Sequence, residues 1–96
     1  MAETIFDKIV AKKMDADIVY EDDTVLAFKD INPQAPVHVL VLPKKKLSSI
    51  AAATAEESSL LGDYMKGIAK TAAELGLEEN GYRVVFNHGK HGQQTV

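Results

Sequence analysis

The chain predicts an α+β domain in which two helices lie over an antiparallel sheet. Three observations carry that reading. Runs rich in β-branched and aromatic residues recur at 18–20, 24–28, 37–42 and 82–87, each bounded by turn-forming residues. The two stretches with helical spacing lie before the first run and between the third and fourth, so they do not alternate with strands as a βαβ series would. No internal repeat or low-complexity linker divides the 96 residues, which places 1–96 in one domain.

Each element has a local reason. Thr4 is placed to cap a helix whose apolar residues Ile5, Phe6, Ile9 and Val10 suit one face, with Lys12 and Lys13 near the C-terminal end, where cations are favoured. Ile18-Val19-Tyr20 reads as a strand, Glu21-Asp22-Asp23 as a turn, and Thr24-Val25-Leu26-Ala27-Phe28 as the antiparallel neighbour. Pro33 and Pro36 bracket a stiff connection that continues neither a helix nor a central strand. Val37-His38-Val39-Leu40-Val41-Leu42 is the most strand-like run, and its alternation puts His38 on one face with Leu40 and Leu42, and Val37, Val39 and Val41 on the other.

After Pro43 and the lysines, Thr54-x-x-Glu57 has the form of a capping box, with Ser58 as the alternative start of the second helix. Leu60, Leu61, Tyr64, Met65, Ile68, Ala72 and Leu75 then form one broad apolar stripe before Gly76 supplies a stop. Tyr64 and Met65 read as packing residues, in the core or against a second subunit. Tyr82-Arg83-Val84-Val85-Phe86-Asn87 is the next strand, and a further one starts at Gln94, so at least four strands are expected.

Composition narrows the function classes. A chain of 96 residues, 46% hydrophobic, is near the lower end for a self-sufficient core, since one this size buries only roughly 60–65% of its unfolded surface. A partner subunit or further C-terminal residues would add to it. With no cysteine there is no disulfide framework, thiolate catalysis or thiolate metal site. Met1-Ala2-Glu3-Thr4 lacks the basic start of a secretory leader, and no apolar run approaches the roughly 20 residues of a membrane span. The default is a soluble protein of the cytoplasm, with the nucleus also open to it. Formal charge is −3, and the dense basic cluster is Lys44-Lys45-Lys46, which reads as a solvated strand exit. Backbone binding to a polynucleotide needs a sustained basic surface, so no nucleic-acid partner is expected, whereas one small nucleotide is compatible with this balance.

The polar residues that punctuate the strands are the candidate site. Asp30 follows a strand and precedes Ile31-Asn32-Pro33, where a carboxylate suits the two vicinal hydroxyls of a ribose and equally serves as a turn former. His38 lies in an apolar strand and needs partners for its ring nitrogens, as a structural or a catalytic histidine. Asn87 closes the next strand, able to bind a hydroxyl or phosphate oxygen or to cap the backbone. Gly89 and Gly92 make the last loop sharp enough for consecutive N–H groups to receive an anion. It is neither a Walker A loop nor a Rossmann fingerprint. His88 and His91 lack an evident third ligand and read as solvent-facing, so no metal is expected.

The run Phe28-Lys29-Asp30-Ile31-Asn32-Pro33-Gln34-Ala35-Pro36-Val37-His38-Val39-Leu40-Val41-Leu42-Pro43-Lys44, followed by Gly81-Tyr82-Arg83-Val84-Val85-Phe86-Asn87 and Gly92-Gln93-Gln94-Thr95-Val96, resembles the histidine triad (HIT) hydrolase family. It is most similar to the branch of histidine triad nucleotide-binding proteins that act as purine nucleoside phosphoramidases. The likeness spans nearly the whole chain, including Ile5-Phe6 and Glu21-Asp22-Asp23. It implies a HIT-like fold whose sheet is extended across a homodimer, and a purine nucleotide cleft. The base pocket would be lined by Ile5, Phe6, Ile9, Phe28 and Ile31, with Asp30 on the ribose hydroxyls. The first site histidine falls on His38, the phosphate-side asparagine on Asn87, and the phosphate-loop and leaving-group contacts on Gln94 and Thr95.

Two departures qualify the resemblance. Many members of the branch have a second glycine where this chain has Gln93, which alters the freedom of the loop backbone. The family's His-apolar-His-apolar-His strand would begin at or just past Val96, so the nucleophilic histidine is expected beyond the 96 residues and the chain as it stands is expected to be inactive. The implied reaction is a double displacement: a histidine attacks the α-phosphate of an adenosine or guanosine phosphoramidate, the amine leaves with help from Thr95, and water releases the nucleoside monophosphate. His38 would support the phosphate and proton network. The scheme needs no metal or cofactor, because histidines and oriented N–H groups can stabilise the phosphoryl oxygens. The alternatives are dinucleoside polyphosphate hydrolysis, nucleotidyl transfer, or a non-catalytic dimeric nucleotide-binding or interaction protein.

Overall fold

Asp22 organises the first hairpin. In the computed structural model, which describes residues 5–11, 15–45, 50–87 and 89–91, β1 (Ile18–Glu21) turns back into β2 (Val25–Lys29) through three residues. One oxygen of the Asp22 carboxylate, Oδ1, accepts the N–H groups of Thr24 and Val25 at 2.8 and 2.9 Å, and the other, Oδ2, accepts the Tyr20 hydroxyl at 2.8 Å. A short side chain that can satisfy amides two and three residues ahead is the reason aspartate belongs at this turn. The ladder pairs Ile18 with Phe28 and Glu21 with Leu26, with a bulge between Ile18 and Tyr20. β3 (Val39–Pro43) adds antiparallel to the other side of β2, pairing Leu26 with Leu42 and Phe28 with Leu40. The sheet order is β1-β2-β3.

Because β2 is central, its two faces must both be covered. Val25, Leu26, Ala27 and Phe28 are all buried, which is why this strand reads as a continuous apolar run instead of alternating. On one face Leu26 and Phe28 meet Ile9 of α1 (Ile5–Val10), with Phe6, Ala16, Leu40 and Leu42 packed around them. The Phe6 and Phe28 rings lie 6.5 Å apart at 53°, a tilted pairing within the favourable range. On the other face, α2 (Ser58–Glu74) crosses β1 and β2 so closely at Gly67 that a Cβ there would fall 2.5 Å from Val25 Cγ2. Glycine is required by proximity, not by backbone angle. Thr71, also buried, donates its hydroxyl to the Gly67 carbonyl at 2.8 Å.

The ends of α2 show one expected device and one correction. Gly76 takes φ +71°, its N–H reaching the Ala73 carbonyl while the Leu77 N–H reaches that of Ala72. This paired C-cap satisfies carbonyls that the helix leaves open. The capping box at Thr54 does not form. A 3-10 helix spans Ile50–Ala55 and holds the Thr54 hydroxyl near the Ala51 carbonyl at 3.4 Å, so Thr54 lies inside a helical turn and cannot cap the next one. Glu57 occupies the N-cap with no side-chain hydrogen bond to the helix, and the helix starts at Ser58, the alternative start.

The expected strand at 82–87 is a further correction: among the described residues the segment is irregular and joins no ladder. Its β-branched and aromatic content measures fit to a pleated, half-buried surface, and a strand exists only where a neighbour supplies that surface. Here Tyr82, Val84, Val85 and Phe86 stay exposed, Val85 at 65% and Phe86 at 52%. The described residues thus contain three strands, not four, and β3 begins at Val39, leaving Val37 and His38 in the preceding loop. The Thr4 cap, Lys12, Lys13 and the strand expected from Gln94 lie outside the described residues. Tyr64 is buried within the protomer and its hydroxyl reaches the Lys45 carbonyl at 3.4 Å, whereas Met65 is exposed. Among the described residues, no helix is long and apolar enough to cross a membrane.

Candidate functional site

The β2–β3 ladder continues one step past the strands into a polar pair. The Asp30 N–H donates to the His38 carbonyl at 2.9 Å, so Asp30 and His38 stand opposite each other just beyond Lys29 and Val39. By strand alternation they extend the rows Leu26-Phe28 and Leu40-Leu42 on the α1 side of the sheet. The side chains meet: His38 Nε2 is 3.4 Å from Asp30 Oδ2, and both groups are largely shielded from solvent. An apolar floor of Phe28, Leu40 and Phe6 therefore ends at a carboxylate and an imidazole.

The loop between them, residues 31–37, is folded back onto the pair. The Asn32 N–H donates to Asp30 Oδ1 at 2.8 Å, and the Gln34 N–H donates to His38 Nδ1 at 2.9 Å. The Gln34 side-chain amide reaches the Asn32 carbonyl at 3.3 Å. Pro33 and Pro36 restrict φ on either side of Gln34, which limits the ways this short loop can close. The role of the Gln34 backbone is the feature that sequence reasoning missed; the only signal for it was the proline bracket, because an exposed glutamine carries no mark of what its N–H does.

A carboxylate has room for about four hydrogen bonds, and two of those positions at Asp30 are taken by Asn32 and His38. The remaining lone pairs can accept hydroxyl groups. His38 can address an oxygen through the ring edge that now faces Asp30. The lysines at the two ends of the ladder are paired: Lys29 with Asp17 at 3.6 Å, and Lys44 with Glu21 at 2.8 Å at the far end.

The other expected site residues are distributed unevenly. Phe6, Ile9 and Phe28 share one cluster, but Ile9 and Phe28 are core residues and Phe28 is only 5% exposed, so Phe6 offers the more accessible edge. Ile31 is 87% exposed at the start of the loop. Asn87 is exposed at the end of the irregular 82–87 segment. The side chain of Ile5, and His88, Gln93, Gln94 and Thr95, lie outside the described residues. Gly89 has φ +66° in the turn leading to the exposed His91. No group of three His, Cys, Asp or Glu residues suited to a metal occurs among the described residues.

A short α+β chain whose central hairpin ends in a facing Asp–His pair defines a class of small proteins with a polar site at the end of an apolar sheet face. Residues 11–96 match the model of the HIT domain, and the chain belongs to the HIT-domain family. It is 52% identical over 94 residues to an uncharacterized HIT-like protein of Synechococcus elongatus, covering 98% of this chain and 82% of that one. It is 44% identical over 94 residues to the purine nucleoside phosphoramidase of Escherichia coli, covering 98% of this chain and 79% of the enzyme. The structure of a histidine triad protein from Clostridium difficile superposes with a TM-score of 0.89 at 41% identity, covering 100% of this chain and 84% of that one.

Proposed function

We propose that the complete protein hydrolyses purine nucleoside 5′-phosphoramidates to nucleoside monophosphates through a nucleotidyl-histidine intermediate. The observation that carries this reading is the facing Asp30–His38 pair at the end of the Phe28–Leu40 row, a place where ribose hydroxyls and a phosphate oxygen are served by adjacent groups above an apolar floor. The likeness to the Escherichia coli phosphoramidase supports the same reaction class. Phe6 and Ile31 offer the purine an apolar edge, Asp30 accepts the ribose hydroxyls, and His38 binds a phosphate oxygen. Asn87 and Gln94 take the remaining phosphate contacts, with Ile5, Ile9 and Phe28 backing the base.

The attack on phosphorus belongs in this reading to a histidine other than His38, which we assign to a position beyond Val96. Its ring nitrogen forms a bond to the α-phosphorus as the P–N bond to the amine breaks. Thr95 helps deliver the proton that the leaving amine takes up. Water then attacks the phosphorus, releasing the nucleoside monophosphate and regenerating the histidine. Splitting one displacement into two is the gain that covalent catalysis gives. The exposed apolar side chains of Met65, Tyr82, Val85 and Phe86 support a homodimer in this reading, as surface for a second subunit to cover.

The test is a comparison of substrates. A version extended through the histidine strand should cleave adenosine 5′-phosphoramidate faster than diadenosine polyphosphates and yield a trapped nucleotidyl-histidine in a single turnover, while residues 1–96 alone should show no appreciable turnover. Preference for the polyphosphate would overturn the substrate class, and robust turnover by residues 1–96 would overturn the placement of the nucleophile.

A further inference from the structure

We infer that the backbone N–H of Gln34 is a positioning group which locks neutral His38 in its Nε2–H tautomer, making that histidine a fixed hydrogen-bond donor toward the oxygen that stands at the Asp30 side of the ring. A neutral imidazole has one N–H and one lone pair, and its neighbours decide which nitrogen carries which. Gln34 N–H can only donate. At 2.9 Å from Nδ1 it requires a lone pair there, which leaves the proton on Nε2. The other side of the ring makes the same demand, because Nε2 faces Asp30 Oδ2 and an ionised carboxylate only accepts.

The opposite tautomer would set two donors against each other at Gln34 and two acceptors against each other at Asp30. Turning the ring over by half a rotation would bring a carbon to the position of Nδ1 and leave the Gln34 N–H without an acceptor. Neither alternative satisfies the loop. That loop is itself held: Asp30 N–H to the His38 carbonyl at its base, Asn32 N–H to Asp30 Oδ1 within it, and prolines on both sides of Gln34.

The two contacts of the ring differ in strength, and the difference assigns their roles. The Gln34 contact has ordinary hydrogen-bond length, while 3.4 Å to Asp30 is long for a charge-assisted N–H···O bond. The Nδ1 side therefore fixes the ring, and the Nε2–H side is exchangeable. An entering oxygen that binds better than Asp30 takes over the Nε2–H without any prior proton transfer. A phosphate oxygen is that acceptor if the nucleotide reading holds; the tautomer itself does not depend on that reading.

Nuclear magnetic resonance of the ¹⁵N-labelled full chain without ligand, at about pH 8.5, where an ordinary histidine with pKa about 6.5 is neutral, tests this directly. The long-range ¹H–¹⁵N spectrum should show His38, identified by its loss in His38→Ala, as one tautomer with Nε2 protonated, against the averaged pattern of the urea-denatured chain. A ¹⁵N–¹⁵N coupling across the hydrogen bond should link the Gln34 amide to His38 Nδ1. Gln34→Ala keeps the backbone N–H and should keep both signals. An Nδ1–H pattern, an averaged pattern, absence of the coupling, or its loss in Gln34→Ala would each overturn the assignment. Because no ligand is added, failure here is distinct from failure of the phosphoramidase reading, which is judged on turnover.

Discussion

At the scale of single residues, the site and the core make different demands. Asp30 uses part of its hydrogen-bonding capacity on the loop and keeps part for a ligand. Asp30→Ala should weaken a ribonucleoside monophosphate more than its 2′,3′-dideoxy analogue, by the about 0.5–3 kcal/mol that hydroxyl bonds to a carboxylate contribute. Calorimetric titrations showing equal losses for both ligands would remove the ribose assignment. Gly67 answers to packing alone. Alanine gains about 1 kcal/mol over glycine inside a helix, but its Cβ would lie 2.5 Å from Val25 Cγ2, in a side chain with nowhere to go at 1% exposure. Overpacking of that kind costs about 1–3 kcal/mol, so Gly67→Ala should lower stability in urea denaturation. Adding Val25→Ala should cost less than the sum of the single losses, since the two positions share one collision; strict additivity would show that the contact is not the cause. The place of His38 was legible from strand alternation, which puts it on the face of Leu40 and Leu42, and that of Asp30 from its position between a strand and the Ile31-Asn32-Pro33 turn. Gln34 was not, since its contribution is a main-chain donor, and Gly67 was hidden because a small residue in a helical stripe does not state how near the sheet will come.

At the scale of elements, legibility follows how local the determinants are. The β1–β2 hairpin, β3 and the end of α2 come from residues close in sequence, and the structure places them near where the pattern did. Asp22 shows why. Burial raises its pKa, but the Val25 and Thr24 amides and the Tyr20 hydroxyl, with attraction from Lys70 on α2, hold it below the ordinary 3.8. A carboxylate whose folded pKa is depressed stabilises the fold above its unfolded pKa, and that contribution fades as pH falls from 3.8 through the lower folded value. Asp22→Ala should cost about 1–2 kcal/mol at neutral pH through the lost turn bonds. The gap between the parent and Asp22→Asn, followed by urea midpoints, should stay constant above about pH 5 and narrow as pH falls through and below the ordinary 3.8. A gap that ignores pH would mean that the carboxylate charge does not hold the turn. The elements misread from sequence are those set by distant partners: Thr54 was drawn into a 3-10 helix, and 82–87 has strand-forming side chains without a ladder among the described residues.

At the scale of the whole molecule, the sheet is covered by α1 on one face and α2 on the other, yet a run of apolar side chains remains outside. Tyr82, Val84, Val85 and Phe86 follow one another closely in the chain, and all are exposed. Isolated exposed apolar residues are ordinary in proteins, but four within five successive positions make this segment the place to test for a covering surface. The reading of Tyr64 and Met65 as packing residues, in the core or against a second subunit, divides between the two. Tyr64 is used inside the protomer, so it is not free for a partner, while Met65 on the same helix is exposed, as are Tyr82, Val84, Val85 and Phe86. A homodimer covering this surface should sediment at micromolar concentration near twice the mass of one chain, which is 10.4 kDa for residues 1–96. Phe86→Asp should shift the complete protein toward monomer while leaving the β1–β2–β3 sheet intact, because Phe86 belongs neither to that sheet nor to the buried cluster around Leu26. Circular dichroism separates the outcomes. A monomeric variant with the parent's spectrum places the interface at this segment, an unfolded variant shows that Phe86 supports the protomer itself, and a parent that sediments only at the mass of one chain excludes the dimer.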